Sequence, residues 1–436
     1  MLSAFAQAFR TPDLRKKLLF TLGTITLFRL GSVIPTPGVD YQAVRTCIDL
    51  TKNNALYGLI NLFSGGALLQ LSIFALGIMP YITASIIVQL LTVVIPRFEA
   101  LKQEGQSGTA RLTQYTRYLT VGLAVLQSTG LIAVARTPGR LFQSCSADII
   151  PNESIWVIVT MVVTMTSGTA VIMWLGELIT DRGIGNGMSI LIFTSIIAQF
   201  PSQIWAIYTS KGAFTFGIVL AVGFALVALV IFIEQAQRRV PVQYAKRMVG
   251  RRMYGGSSTY IPLKVNMAGV IPVIFASSLL YIPNLAINLF ADRNNLSGWA
   301  QWVENNFVRN GGAHPVYILA YFGLIMFFSY FYVAITFNPE EVADNMKKYG
   351  GFIPGIRAGR PTAEYLDYVL TRLTFPGSIY LGIIAVLPII ALALLSAGGQ
   401  FPFGGTSILI MVGVGLDTVK QIESQLQQRN YEGFLR

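Results

Sequence analysis

Residues that could perform covalent chemistry are scarce in this sequence. It contains one histidine, His314, and two cysteines, Cys47 and Cys145, which lie far apart along the chain. His314 stands directly before Pro315 in a loop, so no Ser–His pair or zinc site is expected inside an apolar segment. No Gly-Lys dipeptide occurs, which excludes a phosphate-binding loop of the G-x-x-x-x-G-K type. The sequence therefore predicts no catalytic residue, no metal and no cofactor, and it leaves open whether the cysteines pair.

Charged side chains are also sparse inside the long apolar runs. Glu177, Glu234 and Asp417 fall at the ends of such runs, and only Arg29 lies deeper within one. Carriers that are coupled to protons or ions place ionisable residues near the middle of the membrane. A secondary transporter of the inverted-repeat type is therefore the second interpretation rather than the first. A membrane insertase without a continuous pore is the third.

The apolar runs themselves predict a membrane protein. The 436 residues are 53% hydrophobic and 12% charged, proportions unlike those of a soluble domain. A run of about 20 apolar residues can cross the hydrocarbon layer of the membrane as a helix. Ten such spans are predicted, at 18–35, 74–95, 116–135, 155–176, 188–207, 213–233, 266–287, 315–337, 375–395 and 402–419.

The distribution of basic residues predicts the orientation of these spans. Of the 32 lysines and arginines, 24 lie at the termini, in loops or at a span end on the same side as the termini, 7 lie on the other side, and Arg29 lies within the first span. Because positive residues favour the cytoplasmic side, both termini of this multi-pass protein are expected on the cytoplasmic side of the cytoplasmic membrane. The basic run at 15–17 leads into the first span without a clear cleavage site, so we expect that span to be retained.

Two features indicate the internal architecture. Five spans per half is an odd number, so halves that arose by duplication, 1–210 and 211–436, would be inverted relative to each other. The segment 57–72, YGLINLFSGGALLQLS, is too weakly apolar to cross a membrane alone. Such chain at membrane depth needs protein or a water-filled cavity around it, which predicts a re-entrant segment. An interfacial helix on the outer surface is the alternative.

Two long loops on the side of the termini, 234–265 and 338–374, concentrate positive charge. Basic residues in the first loop are interleaved with apolar ones, which is typical of a hairpin or an extended finger. The second loop surrounds the turn-rich sequence GGFIPGIRAGRPT. Because arginine binds phosphate and carboxylate groups, the loops predict a docking surface for a cytoplasmic partner. A topogenic loop that touches anionic lipid is the alternative.

Six stretches of this sequence resemble the signatures of the SecY family of protein-export channels, in the family's order and spacing. They are FSGGALLQLSIFALGIMPYITASIIVQLL at 63–91, GELITDRGIGNGMSILIF at 176–193, YAKRMVGRR at 244–252, PLKVNMAGVIPVIFASS at 262–278, GFIPGIRAGRPTAEYL at 351–366 and FGGTSILI at 403–410. The resemblance covers most of the chain, from Arg15 to about Asp417.

The resemblance implies both a fold and a function. The fold is an all-α polytopic membrane protein, in which ten transmembrane helices form two inverted, pseudo-symmetric halves. These halves close like a clamshell around an hourglass-shaped pore, with a re-entrant plug helix. The implied function is a protein-conducting channel without enzymatic activity. It passes unfolded secretory polypeptides across the cytoplasmic membrane and releases membrane helices sideways into the bilayer.

The same resemblance assigns a plug and a pore ring. The plug is the segment 57–73, and the residues assigned to it are Phe63, Ser64, Gly65, Gly66 and Leu68. The ring is aliphatic in the family, and the matching positions are Ile78, Ile82, Met188, Ile192, Ile274 and Ile410. Such a ring can seal around a polypeptide while offering ions no replacement for their hydration shells. Met188 departs from the usual isoleucine and is more flexible. Without the resemblance, each position would be assigned to ordinary membrane core.

A lateral gate is implied by matches to a polar cluster that lies across the gate in relatives: Thr83, Gln127 and Asn266. Gly77, Pro80 and Pro272 lie on helices that line this gate in the family. There they would loosen helix packing and free backbone groups. Hydrogen bonds between helices in lipid are weak, at about 0.6–2 kcal/mol, so such a latch opens easily. Contacts between helices with no gating role are the alternative.

The resemblance also implies partners. Arg251 and Arg252 match the tip that contacts the ribosome, and Arg357 matches an arginine that is needed for work with the SecA motor ATPase. The family further implies the partner subunits SecE and SecG, and it implies signal sequences and unfolded precursor polypeptides as cargo. Lipids surround the chain and receive the membrane helices that leave it.

Overall fold

The computed structural model describes residues 9, 11–51, 66–68, 70–136, 148–152, 154–244, 247–249, 252–254, 258–290, 298–308, 314–395 and 405–433. Most of them are helical, because backbone inside a membrane must satisfy its hydrogen bonds internally. The helices are α1 (Pro12–Val33), α2 (Tyr41–Thr51), α3 (Met79–Val94), α4 (Pro96–Gln103), α5 (Gln106–Arg136), α6 (Ile155–Arg182), α7 (Gly187–Gln235), α8 (Ile271–Phe290), α9 (Gly298–Val303), α10 (Pro315–Thr336), α11 (Pro339–Lys348), α12 (Arg360–Leu395) and α13 (Gly405–Gly433). A π-helical turn, Glu304–Val308, follows α9.

Every predicted span overlaps a helix. Helix α7 contains both the fifth and the sixth span, which Gly212 separates with a φ of 84°. Among the described residues, five helices are long and apolar enough to cross a membrane, or six if α3 and α4, bent by 104°, count as one span. The other four predicted spans lie on α1, the first part of α7, α8 and α13.

The helix boundaries differ from the predicted span boundaries for local reasons. Helix α3 begins at Met79 rather than at residue 74, because Gly77 has a φ of 57° and Pro80 occupies the first helical turn. Helix α12 begins at Arg360 rather than at residue 375. Apolarity marks where a helix enters the membrane, whereas Arg, Glu and Leu continue a helix into water.

The predicted hairpin between the sixth and seventh spans is confirmed. Its strands are β1 (Gln237–Tyr244), β2 (Arg247–Val249), β3 (Arg252–Tyr254) and β4 (Ser258–Lys264), and a fifth strand, β5 (Gly351–Phe352), comes from the next long loop. Strand β1 pairs antiparallel with both β4 and β5, while β2 pairs with β3. The two loops that the sequence treats separately therefore share one sheet. We call β1–β5 together with α11 the basic loop unit.

Several buried hydroxyl groups in the helices donate to the backbone of their own helix. Thr24 Oγ1 donates to Phe20 O at 2.9 Å, Ser195 Oγ to Leu191 O at 2.9 Å and Ser329 Oγ to Ile325 O at 2.7 Å. Each of these bonds returns to the preceding helical turn of the same helix. Small polar residues can therefore be buried without a partner on another helix.

Candidate functional site

The candidate site lies where the chain enters α3. Ile73 N donates to Ile34 O at 2.9 Å, and Thr36 N donates to Leu71 O at 3.0 Å. These bonds fix the chain just before α3 against the end of α1. A series of turns then leads to Ile78, which caps α3 and accepts hydrogen bonds from the backbone of the first helical turn. The position of Ile78 thus follows from local backbone geometry.

The start of α7 is fixed against α6. Asn186 caps α7 by accepting from Met188 N at 3.1 Å and Ser189 N at 3.4 Å. Gly187 N donates to the hydroxyl of Thr180 at 2.9 Å. A Cβ atom at Gly187 would overlap the carbonyl of Gly176, so the two helices approach as closely as backbones can. This contact fixes where Met188 and Ile192 of α7 lie along the axis of α6.

All six residues of the predicted pore ring meet in one hydrophobic cluster. Four of them are buried in it, and the other two are partly buried and pack against it; the six are Ile78, Ile192, Ile274, Ile410, Ile82 and Met188. They come from α3, α7, α8 and α13 and from the residue before α3. The structure therefore brings together side chains that are distant in sequence. What this cluster can do chemically is exclude water, since it offers no polar group to an ion.

Met188 packs against α6. A Cβ added at Gly176 would lie 2.9 Å from Met188 Cε, so the end of the thioether occupies the space that Gly176 leaves open. An unbranched side chain can reach this gap, which a β-branched isoleucine would not fill in the same way. Met188, which stands where the family usually has isoleucine, thus packs against Gly176 of α6.

The predicted plug is only partly visible. Phe63, Ser64 and Gly65 lie outside the described residues, whereas Gly66 and Leu68 form part of a turn. Leu71 N donates to Leu68 O at 3.1 Å. The described end of this segment is thus joined to the fixed chain that leads into α3.

A short helix covers the end of the bundle where α1 ends. Asp40 caps α2, and its backbone N–H donates to Ile149 O at 2.9 Å. Cys47 of α2 is 0% exposed and is disulfide-bonded. The only other cysteine in the sequence is Cys145, which lies outside the described residues. We call this region the α2 cap; it comprises α2 and residues 34–40, 71–75 and 148–150.

The three residues of the predicted lateral gate occupy α3, α5 and the loop before α8. Helix α8 contacts both α3 and α5. Thr83 Oγ1 donates to Met79 O at 3.0 Å within its own helix. Asn266 Nδ2 donates to Glu234 Oε1 at 2.6 Å and to Gly269 O at 3.1 Å. The helices of the predicted gate are therefore in contact, and the described hydrogen bonds of Thr83 and Asn266 go to other partners.

The basic loop unit has its own hydrophobic core. Its buried residues come from both long loops and from α11 and α12, and they are Val240, Val242, Leu263, Met346, Ile353, Leu366, Val369 and Leu370. Arg357 is exposed in the turn between β5 and α12, where Thr362 Oγ1 donates to its carbonyl at 2.8 Å. Arg251 lies outside the described residues, and Arg252 begins β3. The hydrophobic core of the basic loop unit thus supports the turn that exposes Arg357.

Two polar pairs join residues that are far apart in sequence. Arg117 of α5 binds Glu177 of α6 with two bonds of 2.8 Å each. Glu234 binds Asn266 across 32 positions of sequence. The sequence marked Glu177 and Glu234 only as carboxylates at the ends of apolar runs, which does not identify their partners.

Comparison with known proteins decides the family. The SecY family model matches residues 72–419. A relative from Streptomyces scabiei, named protein translocase subunit SecY, is 70% identical over 443 residues, with 100% of each chain covered. The chain belongs to the SecY family. A relative of the same name from Mycobacterium tuberculosis is 60% identical over 445 residues, again with 100% of each chain covered.

Solved structures show the same fold. A structure described as a protein-conducting channel matches with a TM-score of 0.64 at 17% identity, covering 94% of this chain and 92% of that one. Sec61 in the canine ribosome–channel complex matches with a TM-score of 0.61 at 16% identity, with the same coverage. The predicted fold class, a helical clamshell of ten spans, is confirmed.

Family membership settles the broad function. This multi-pass membrane protein is a protein translocase subunit and a protein-conducting channel, and it is not an enzyme. The transporter and insertase interpretations are therefore set aside.

Proposed function

We propose that unfolded secretory polypeptides cross the membrane through the cluster of six aliphatic residues, and that membrane helices leave this channel sideways into the bilayer. The observation that carries the proposal is the meeting of Ile78, Ile82, Met188, Ile192, Ile274 and Ile410 in one cluster. Side chains without polar groups suit cargo of any sequence, because they make no sequence-specific hydrogen bonds. They also hinder ions, which lose hydration there without compensation.

The segment 57–73 acts as the plug of this channel. Leu71 and Ser72 are completely buried, and Ser72 pairs with Pro35 at the end of α1. The chain that follows the plug is therefore fixed against the end of α1.

The sideways exit lies where α8 meets α3 and α5. These contacts are the only described ones between α8 and the first five spans that extend over several residues. Thr83, Gln127 and Asn266 lie on the elements that would separate. A signal sequence binds between them when α8 moves away.

The basic loop unit and both termini face the cytoplasm. Arg251, Arg252 and Arg357 dock the partners that deliver the polypeptide, which are the ribosome and the SecA motor. Sec61, a solved structure with the same fold, is described in a complex with the ribosome. The subunits SecE and SecG complete the translocase, whose name the relatives carry.

The pore-ring assignment is tested with Ile82→Asn and Ile274→Asn in vesicles that contain the full-length chain and its partner subunits. Both substitutions place an amide in the ring, which stabilises a hydrated pore. We expect a several-fold increase in resting ion leak and uptake of precursors with defective signal sequences. Val93→Asn, on the exposed face of the same helix α3, is the matched control. Unchanged leak and unchanged signal selectivity in both ring variants would overturn the assignment.

A further inference from the structure

The base of the hairpin is closed by one short hydrogen bond between buried side chains. Glu234, in the last turn of α7, is 8% exposed, and Asn266, just before α8, is 4% exposed. Asn266 Nδ2 lies 2.6 Å from Glu234 Oε1. The adjacent backbone bond, from Val265 N to Ala236 O, measures 3.0 Å. The two legs of the hairpin are thus joined by a side-chain bond at the point where each leg becomes a membrane helix.

The bond lies in a confined, charged environment. A Cβ at Gly377 of α12 would approach Val265 O to 2.5 Å, so α12 packs directly against the backbone next to Asn266. Lys264 Nζ lies 3.6 Å from Asp417 Oδ1 of α13. Lys264, Asp417 and Lys420 are the charged groups that interact electrostatically with Glu234. The chain just before α8 is therefore held by the end of α7, by α12 and by α13, and all these contacts lie within 211–436, the predicted second half.

Beyond this bond, the two long strands of the hairpin are paired without interruption. Strands β1 and β4 are in register from Gln237↔Lys264 to Gln243↔Ser258. Because Glu234 precedes β1 and Asn266 follows β4, a displacement of the strands acts on the Glu234–Asn266 bond before it reaches α8. No corresponding side-chain bond from Asn266 to α3 or α5 is present among the described residues.

From this geometry we infer that Glu234 is a positioning residue for the lateral gate, which holds Asn266 and the start of α8 in the closed arrangement and links α8 to the basic loop unit. The inference rests on the proposed function of α8 as a gate helix. Both side chains are buried, and a buried donor or acceptor is costly to leave unpaired, so the clamp is firm at rest. A partner that shifts the strands would weaken it and release the start of α8.

The test measures how strictly the channel selects signal sequences. Vesicles contain the full-length chain with its partner subunits, and they receive SecA, ATP and a precursor with either an intact or a shortened apolar signal. The readout is the ratio of protease-protected shortened-signal precursor to protected intact-signal precursor, at equal amounts of inserted channel. A merely structural role of Glu234 would lower the uptake of both precursors and leave this ratio unchanged.

We expect Glu234→Ala to raise the ratio about tenfold, the effect of losing one interhelical hydrogen bond in a membrane protein. Glu234→Gln keeps an oxygen acceptor for Asn266 and should stay near the wild-type ratio. Asn266→Ala should match Glu234→Ala, and the double variant should add nothing to either single one. Gln235→Ala, at the exposed neighbouring position, is the matched control.

Three results would overturn the inference. One is an unchanged ratio in both alanine variants. Another is an equal rise in Glu234→Gln and Glu234→Ala, which would make the charge rather than the hydrogen bond responsible. The third is a double variant whose effect is the product of the two single ones. If the wild-type chain protects no precursor at all, the proposed function fails instead, which is a distinct outcome.

Discussion

The α2 cap and the base of the basic loop unit lie at opposite ends of the helices and are held by different interactions. In the α2 cap, Cys47 is fully buried and disulfide-bonded, and Val44 and Leu71 are buried beside it. At the base of the basic loop unit, Glu234 and Asn266 form a hydrogen bond, and Lys264 and Asp417 form a partly exposed ion pair. One end is therefore held covalently and by apolar burial, and the other by polar bonds.

This difference matches what each end has to do. Apolar burial and a disulfide are lost only when the structure unfolds or is reduced. They therefore suit a region, such as the α2 cap, that keeps one conformation. A single hydrogen bond contributes only about 0.5–1.5 kcal/mol net, so it can break without unfolding the protein. We therefore expect substitutions in the α2 cap to change stability, and substitutions at the base of the basic loop unit to change selectivity.

The largest effect is expected at the contact between α6 and the chain that leads into α3. A Cβ at Gly168 would lie 3.0 Å from the carbonyl carbon of Ile73 and closer still to its oxygen. Gly168→Ala should therefore destabilise the protein by about 3 kcal/mol, because neither backbone can move freely. The measurement is thermal unfolding in detergent.

Gly122→Ala on the neighbouring helix α5 is the control, because a Cβ there meets nothing within 4 Å. This substitution should be neutral or stabilise slightly, since alanine favours a helix more than glycine does. Equal unfolding temperatures for the two variants would show that the contact at Gly168 is not tight.

A comparable effect is expected at Cys47. Cys47→Ala removes the disulfide and should lower the free energy of unfolding by about 2–4 kcal/mol. A reducing agent should lower the unfolding temperature of the wild-type protein to about that of Cys47→Ala. It should leave the unfolding temperature of Cys47→Ala unchanged. If reduction leaves the wild-type protein unaffected, the disulfide does not hold the α2 cap.

A smaller effect is expected for the ion pair between α5 and α6. The side chains of Arg117 and Glu177 are 42% and 22% exposed, so solvent screens the pair, although its two bonds strengthen it. A double-mutant cycle with Arg117→Leu and Glu177→Leu should give a coupling of about 1 kcal/mol. The same cycle at the exposed pair Arg360–Glu364 should give a value near zero. Equal couplings at the two sites would contradict this ranking.

Hydropathy and charge were sufficient to predict the ten spans, because a membrane allows few backbone structures, and the alternation of basic and apolar residues predicted the hairpin. The start of α3 was misplaced, since the φ of Gly77 outweighs the apolarity of the residues before it. The meeting of Ile78 with Ile410 came from the resemblance and not from the pattern. A single isoleucine carries no information about which distant residue it contacts.

Tertiary polar contacts were the least predictable part of the site. Glu234 was noted only as a carboxylate at the end of an apolar run, yet it binds Asn266. Strand β5 pairs with β1 through Gln243↔Phe352, and nothing in either loop signals this contact. Such contacts depend on how spans pack, which local sequence does not determine.

The central claim is that this chain is a channel whose basic loop unit receives a cytoplasmic motor. The most direct test places the purified chain and its SecE partner in vesicles, adds SecA and ATP, and measures whether a signal-bearing precursor becomes protease-protected. We predict protection that is lost with Arg357→Glu and retained with Arg97→Glu, which reverses an exposed charge on α4. Absence of protection with correctly inserted wild-type protein, or full protection with Arg357→Glu, would contradict the account.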